Sequence, residues 1–269
     1  MPAEIRLGCQ GWNYTAWVGP MYPSKTKPQN FLSTYARAFS AVEVDSTFYA
    51  VPAANTVRGW AERTPEQFVF ALKLPQEITH ELRLRHAGDV LQRFTDVARE
   101  LGPKLGPILI QMGRDFAASE VDALAEFLAT LPRDLDFAIE FRQRGWATDA
   151  TLALLTAHRV ALALADARWI PRKTMLALAA RPTADFAYVR WMGPDRSIVD
   201  YSRVQVDRTA ELEQWAAVLP ALTATLRVAY GFVNNHFAGH SPASVRQLQR
   251  LLGQTVVDPA ALGDQLPLF

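Results

Sequence analysis

Polar side chains able to do acid–base chemistry stand at or just after the ends of short apolar segments along this sequence. A lysine, two carboxylates and a histidine are the candidates for moving protons, because each can titrate near neutral pH in a suitable environment. These predicted catalytic residues are Lys73, Glu140, Asp166 and His236. The side chains that we predict to hold a ligand occupy similar positions: Gln10, Trp12, Glu43, Asp45, His80, Gln111, Arg142, Arg190, Asn234, Asn235 and His240.

Opposite charges within this set are expected to pair. A buried charge without a partner destabilises a protein by several kcal/mol, so the cations are predicted to lie against the carboxylates. The cations are Lys73, Arg142 and Arg190, and the carboxylates are Glu43, Asp45, Glu140 and Asp166. Alternatively, the same residues form a self-neutralising plug, a set of ion pairs that closes one end of the fold and has no other role. This alternative stays open.

Tryptophan and arginine recur in the segments that follow the apolar runs. Five of the seven tryptophans are found there: Trp12, Trp17, Trp146, Trp169 and Trp191. Arginines accompany them at Arg142, Arg144, Arg168 and Arg190. Together these side chains suit a ligand with flat faces and negative charge, through stacking and bidentate contact to phosphate or carboxylate. The alternative is that the rings pack as lids on the fold.

His236 and His240 are four residues apart, a spacing that would bring two imidazoles to one metal ion on a helix. The glycine and proline in the range 239–242 instead predict a loop. An alternative is a divalent metal held by these histidines with Glu140 and Asp166. The positive charges of Lys73, Arg142 and Arg190, which stand at similar positions, would repel such an ion. We therefore predict no metal and no other cofactor.

Eight short apolar runs must position these residues. They span 5–9, 41–45, 68–73, 108–112, 137–141, 160–165, 186–191 and 228–233. Stretches with helical apolar spacing lie between them, for example 31–39, 90–101 and 124–131. Strands that alternate with helices pair in parallel, and eight such units predict an α/β fold, a single (β/α)8 TIM barrel over residues 1–253 with a short C-terminal tail at 254–269.

The barrel prediction brings the polar residues together, because function in this fold is carried at the carboxyl ends of the strands. In the second strand, period-2 alternation sets Glu43 and Asp45 on one face and both valines on the other. The valines suit the helix layer, so both carboxylates are expected inside the barrel.

Overall composition excludes several classes of protein. The 28 Lys and Arg residues balance 27 Asp and Glu, so no global field favours nucleic acid or anionic lipid, and any anion-binding surface must be local. Cys9 is the only cysteine, which fits a reducing cytoplasm. No signal peptide and no run of about 18 apolar residues is found, so we expect no membrane partner.

The sequence resembles the YecE-like proteins, domain of unknown function family 72, over nearly its whole length. The stretches that carry the resemblance are 11–12, 17–23, 43–49, 68–73, 78–80, 140–142, 186–190, 234–236 and 239–243. The resemblance implies a TIM barrel with no firmly established activity. It therefore supports the fold strongly and leaves the function to be argued from the residues.

The last five residues are similar to the short peptide by which bacterial DNA-processing enzymes dock on the sliding clamp. Leu268 and Phe269 would be apolar anchors, with Leu266 beside them, and Gln265 would hydrogen-bond at the pocket rim. The alternative is a tail that folds back on its own barrel to bury Leu266 and Phe269.

Three hypotheses for function follow. The first is an enzyme of hydrolase or lyase type, or a binding protein, for an anionic phosphate-bearing ligand such as nucleic acid, gripped by Arg142 and Arg190. The second is a carbohydrate-active enzyme that uses Glu140 and Asp166 as a carboxylate pair. The third is a scaffold without catalysis that docks a partner through its tail.

Overall fold

Eight parallel strands close into a barrel in the computed structural model, which describes residues 4–263. The strands follow chain order around the barrel, and β8 pairs with β1. They are β1 (Glu4–Gln10), β2 (Ala41–Val44), β3 (Val69–Lys73), β4 (Leu105–Gln111), β5 (Phe137–Glu140), β6 (Ala161–Ala167), β7 (Phe186–Gly193) and β8 (Val228–Val233). The predicted (β/α)8 barrel is confirmed.

Helices form the layer around the barrel. They are α1 (Phe31–Ala36), α2 (Ala54–Glu62), α3 (Gly88–Ala98), α4 (Val121–Thr130), α5 (Asp149–His158), α6 (Arg172–Ala179), α7 (Thr209–Thr223), α8 (Asn235–Ala238) and α9 (Ser241–Leu251). The loop predicted over 239–242 is wrong in part, because α9 begins at Ser241. Pro242 is tolerated there, since the first turn of a helix needs no N–H donor from it.

Side-chain alternation along the strands decides which residues face the barrel interior. On β2, Val42 and Val44 pack outward with the helix layer, while Ala41 belongs to a separate cluster inside the barrel. Glu43 shares its face with Ala41 and is fully buried. The predicted division of β2 into an apolar outer face and a carboxylate-bearing inner face is therefore confirmed for Glu43.

Small and large residues fill the barrel interior unequally. Inward-facing alanines on β2, β3, β5 and β6 leave space, and aromatic rings on β7 and β8 fill it. The rings are Phe186, Tyr188, Tyr230 and Phe232. This arrangement makes β7 the strand that reaches across the interior, and the next inward residue after Tyr188 is Arg190.

The segment after α9 packs against the barrel as far as the structure describes it. A short 3-10 helix, Pro259–Leu262, buries Leu262, and Arg37 Nη1 donates a hydrogen bond to the Leu262 carbonyl at 2.9 Å. The predicted docking residues Gln265, Leu266, Leu268 and Phe269 lie outside the described residues. Within residues 4–263 no helix is both long and apolar enough to cross a bilayer.

Candidate functional site

A fully buried arginine closes the barrel interior at the carboxyl ends of the strands. Arg190 on β7 is 0% exposed. Its guanidinium donates to Glu43 on β2, from Nε to Oε2 at 2.9 Å and from Nη2 to Oε1 at 2.6 Å. Nη1 donates to Glu140 on β5 and to Oε1 of Gln111 on β4, the latter at 3.3 Å. The Tyr188 hydroxyl donates to Glu43 Oε2 at 2.7 Å, and we call these five residues the Arg190 network.

The two carboxylates of the Arg190 network share one guanidinium, so their pKa values move apart. Burial raises the pKa of Glu140, but Arg190 and Arg142 outweigh it and bring that pKa down to about 2. Burial raises the pKa of Glu43 above its ordinary value, because Arg190 only partly offsets the loss of water. A proton taken up by the network therefore goes to Glu43, while Glu140 stays ionised.

We call the opening of the barrel at the carboxyl ends of its strands the mouth. The Arg190 network forms the floor of the mouth and is not a contact surface for a ligand. The guanidinium of Arg190 is enclosed, and its nitrogens already donate to Glu43, Glu140 and Gln111. A ligand in the mouth does not reach it, which corrects the expectation that Arg190 grips an anion. In this deepest layer of the site, the charged residues match the alternative of a self-neutralising plug.

Lys73 and Asp45 form an ion pair above the floor, with 3.3 Å between Nζ and Oδ1. The lysine side chain is 8% exposed and the aspartate 34% exposed, so Asp45 is the member of the pair that is accessible from the mouth. The Phe48 ring lies 4.4 Å from Lys73 Nζ and meets the ring of His80 edge to face. His80 stands on one π-helical turn, Glu77–Glu81, and burial together with three neighbouring cations lowers its pKa.

Asp166 is the predicted catalytic residue that the structure sets apart from the others. It shares the outer face of β6 with Leu164, which packs in the helix layer. Its Oδ2 accepts hydrogen bonds from Arg172 Nε at 2.6 Å and from Trp215 Nε1 at 2.9 Å. The predicted position in the mouth is therefore wrong. The carboxylates of Glu140 and Asp166 face opposite sides of the barrel wall, which is not the arrangement of a glycosidase pair across one cavity.

Three of the five tryptophans that follow the strands are buried: Trp17, Trp146 and Trp191. Trp146 stacks with Phe116 and Phe141 at centroid distances of 5.3 and 4.5 Å. Its Nε1 donates to the Phe116 carbonyl at 2.9 Å. Such enclosed rings stabilise the fold and offer no face to a ligand. Trp12 and Trp169 are half-buried.

Four arginines from successive loops converge on one side of the mouth. They are Arg114 after β4, Arg142 after β5, Arg168 after β6 and Arg196 after β7. We call the space between them the arginine cleft, and its volume is about 320 Å³. The ring of Trp169 lies among them, with the guanidinium carbons of Arg114 and Arg168 each 4.3 Å from the ring centroid. That of Arg142 is 5.5 Å away.

Little negative charge opposes the arginine cleft. Within residues 4–263, Arg142 forms an ion pair, with Glu140, and the other three arginines form none. Asp195 supplies the carboxylate of the described lining, and its Oδ1 accepts from the N–H and hydroxyl of Ser197 at 2.9 and 2.6 Å. Partial loss of water and three neighbouring arginines lower the pKa of Arg114. An anion in the cleft would relieve this repulsion.

A second cleft, of about 450 Å³, opens beside Gln10 and is lined by aromatic rings. We call it the aromatic cleft, and its lining includes Gly11, Trp12, Asn13, Tyr14, Asp45, Ser46, Trp60 and Arg63. Gly11 has a φ of +80°, which lets the chain turn sharply after β1 into Trp12. Trp12 meets Trp60 edge to face, with ring centroids 5.7 Å apart. Packing therefore fixes the orientation of the Trp12 ring.

Asn234 and His236, which follow β8, belong to the lining of the arginine cleft. Asn234 Nδ2 donates to Oε1 of the buried Gln10 at 2.8 Å, and its Oδ1 accepts from the His236 N–H at 2.8 Å. Nε2 of His236 is 3.1 Å from the Tyr201 hydroxyl. Burial and the charge of Arg196 lower the pKa of His236, so its imidazole is neutral at neutral pH.

Asn235 and His240, which we predicted to bind ligand, hold the packing around the start of α9. Asn235 is 2% exposed, and its Oδ1 accepts from the N–H and the hydroxyl of Ser241 at 3.1 and 2.9 Å. His240 is 3% exposed, and its Nδ1 donates to the Tyr201 carbonyl at 2.8 Å. Its ring meets Trp17 edge to face at 6.0 Å. Neither side chain is part of the lining of either cleft.

The structure does not assemble the four residues of the metal alternative. His236 faces the arginine cleft, His240 the core, Glu140 the floor and Asp166 the helix layer. Within the part of the chain that the structure describes, no three His, Cys, Asp or Glu side chains come together in a group that could hold a metal ion.

Comparison with known families identifies the chain. The model of the family described as "Protein of unknown function DUF72" matches residues 6–266. The chain belongs to the DUF72 family. The YecE protein of Escherichia coli K12 is 33% identical over 138 residues, which are 51% of this chain and 48% of that protein, so the match spans about half of its length. The YunF protein of Bacillus subtilis is 26% identical over 92% of this chain and 94% of its own.

Solved DUF72 structures have the same fold. A DUF72 family protein of Thermotoga maritima superposes with a TM-score of 0.79 at 24% identity, covering 93% of this chain and all 100% of its own. A DUF72 family protein of Enterococcus faecalis gives a TM-score of 0.73 at 20% identity, covering 94% and 99%. These similarities confirm the YecE-like resemblance and the barrel, and the function of this DUF72 protein must be argued from its own site.

Arg114 and Arg196 are residues of the arginine cleft that our sequence analysis did not single out. Both lie in loops, Arg114 directly after Gly113 and Arg196 in the long connection from β7 to α7. A signal was available for Arg114, because it stands three residues after Gln111, at the carboxyl end of a predicted strand. Arg196 is further from its strand, and its position depends on the path of the loop.

His240 is expected to make this DUF72 protein sensitive to acid. Burial lowers the pKa of His240 from 6.5 to about 4. The unfolded chain takes up the proton first, so stability is full above about pH 6.5 and falls as the pH drops towards about 4. We expect a loss of up to about 2 kcal/mol between about pH 7 and about pH 5, measured by urea unfolding. His240→Gln should flatten this dependence, and an unchanged slope in that variant would count against the assignment.

Proposed function

We propose that the protein binds a phosphate-bearing ligand in the arginine cleft. The observation that carries the proposal is the convergence of Arg114, Arg168 and Arg196 on one cleft, with no ion pair formed by any of them within residues 4–263. A guanidinium keeps its charge at every physiological pH and can donate two parallel hydrogen bonds to a phosphate. Trp169 supports the proposal, because its ring holds the guanidinium groups side by side.

Phosphate fits this charge better than carboxylate does. A carboxylate brings one negative charge and two oxygens, whereas a phosphate monoester brings about two charges and three acceptor oxygens. The net charge of the whole chain is +1, so attraction of the ligand must come from the cleft itself. Nucleic acid is included in the proposal as a ligand whose phosphates meet these arginines.

Groups that can move protons lie in the two clefts and support an enzyme of hydrolase or lyase type. The neutral imidazole of His236 lines the arginine cleft, and Asp45, which pairs with Lys73, lines the aromatic cleft. Glu140 acts as a positioning residue in this proposal. Its ionised carboxylate accepts from Arg142 Nε at 3.1 Å and so fixes an arginine at the edge of the cleft.

Binding can be tested by calorimetric titration of the whole chain with pyrophosphate, a mononucleotide, a single-stranded oligonucleotide and a neutral sugar. We expect saturable binding of the phosphate-bearing probes at low ionic strength and weaker binding at about 0.15 M salt, where screening is stronger. The neutral sugar is the control and should not bind with this salt dependence. If none of the three phosphate-bearing probes binds at low salt, the proposal is overturned.

A further inference from the structure

The ring of Trp169 is not free to stack on a ligand. Two guanidinium carbons lie 4.3 Å from its centroid and a third lies at 5.5 Å. At these distances the arginines cover the ring by cation–π contact. The arginine cleft is therefore built to hold charge, and any flat ring of the ligand must find its place elsewhere.

The aromatic cleft offers that place, and it adjoins the arginine cleft across a single side chain. Gln10 is 2.8 Å from Asn234 and 2.9 Å from Met192, which both line the arginine cleft. The next two residues along the chain, Gly11 and Trp12, line the aromatic cleft. The linings of the two clefts are therefore neighbours on either side of the buried Gln10.

The lining of the aromatic cleft combines rigid rings with hydrogen-bonding groups. Trp12 is held edge to face against Trp60 at 5.7 Å and against Phe70 at 6.3 Å. Asp45 brings a carboxylate that can accept from ring N–H groups. The guanidinium of Arg63 is fixed by a hydrogen bond from Nε to the Gly59 carbonyl at 2.7 Å. Rings of fixed orientation bind a flat ring at little entropic cost.

We propose that the aromatic cleft binds the base of a nucleotide whose phosphate lies in the arginine cleft. This inference rests on the proposed function and names its ligand class. A nucleotide has both parts, a phosphate for the guanidinium groups and a planar heterocycle with N–H donors for Trp12 and Asp45. The nucleotide is free or is one unit of a single strand, and the two sources share this chemistry.

The test compares ligands with and without a base on the unaltered protein. The probes are pyrophosphate, ribose 5-phosphate, a mononucleotide and a short single-stranded oligonucleotide. Because stacking on an aromatic side chain is favourable for every base, we expect the mononucleotide to bind at least about tenfold tighter than ribose 5-phosphate. Equal affinity for these two ligands overturns the inference. Tighter binding of the oligonucleotide than of the mononucleotide assigns the source to a strand, and equal binding assigns it to the free nucleotide.

Substitutions separate this inference from the function on which it rests. Trp12→Ala should remove most of the preference for the mononucleotide and leave pyrophosphate affinity unchanged, whereas Arg168→Ala should weaken both. Tyr49→Ala, which removes an exposed ring outside the described lining of both clefts, is the matched control. If Arg168→Ala weakens both ligands and Trp12→Ala weakens neither, the nucleotide inference fails and the proposed function stands. If Trp12→Ala is unstable, the comparison of the mononucleotide with ribose 5-phosphate decides.

Discussion

Replacing Arg190 by methionine should destabilise the protein by about 3–5 kcal/mol, the typical effect of removing one partner from a buried ion pair. Methionine fills a similar length without charge, so the loss comes from the buried Glu43, which loses its arginine, and from the buried Glu140, which keeps only Arg142. Chemical denaturation with circular dichroism measures the free energy of unfolding. Arg133→Met, at an exposed arginine on the opposite end of the barrel, is the control and should change it by less than about 0.5 kcal/mol.

The pH dependence of the Arg190→Met variant distinguishes a charge effect from a packing effect. Glu140 keeps its ion pair with Arg142, whereas Glu43 loses its arginine, so burial raises the folded-state pKa of Glu43 further above its unfolded value. The protonated form of Glu43 is then favoured in the folded state, so the deficit should shrink as the pH falls towards about 5. Adding Glu43→Gln to the variant should recover part of the stability. A variant as stable as the wild type at about pH 8 would contradict the described floor.

Removing two arginines from the cleft should lower affinity for phosphate-bearing ligands by about a hundredfold, since contacts to charged groups are the strongest hydrogen bonds that a ligand makes. Arg114→Ala and Arg168→Ala are the substitutions, because both side chains are exposed and carry no ion pair within residues 4–263. Titration with pyrophosphate measures the effect.

The double substitution is informative only if the fold is unchanged. Both residues lie in loops on the rim, so the thermal midpoint should stay close to that of the wild type. Arg93→Ala together with Arg133→Ala removes two exposed positive charges outside the cleft and controls for the change in net charge. An affinity that the double substitution alters no more than this control does would mean that the arginines do not bind the ligand.

The barrel could be predicted from the sequence because its strands and helices have different apolar periods. The alternation of inward and outward side chains along β6 also predicts where Asp166 lies. Ala161 and Ala163 face the interior and Leu162 and Leu164 face the helices, so Asp166 belongs to the outer face with the leucines. The prediction placed every residue at a strand end in the mouth of the barrel. Asp166 shows that such a residue faces the mouth only if it alternates in step with the inward-facing side chains of its strand.

Other features of the site depend on loops whose paths no local pattern determines. Arg196 reaches the arginine cleft from the long connection after β7, and Tyr201 of that connection contacts both His236 and His240. Asn235 was predicted to bind ligand because it follows the eighth strand, but its side chain accepts hydrogen bonds from Ser241 at the start of α9. These contacts join residues from separate segments, and they become visible only when the segments are packed.

The site therefore has two layers with different tasks. The Arg190 network neutralises its own charge inside the barrel and holds four strands together. Above it, the arginine cleft keeps positive charge that its described surroundings do not neutralise. Our proposal therefore predicts that stability and binding can be altered separately, by substitutions at Arg190 and at Arg168.

The position of a bound anion tests the central claim most directly. Crystals grown with tungstate, a phosphate-like oxyanion, would locate it by anomalous scattering. We expect one strong peak in the arginine cleft, with tungstate oxygens at hydrogen-bonding distance from Arg114 and Arg168. Tungstate bound only at other surfaces, with the cleft free of it at saturating concentration, would contradict our proposal for the function of this protein.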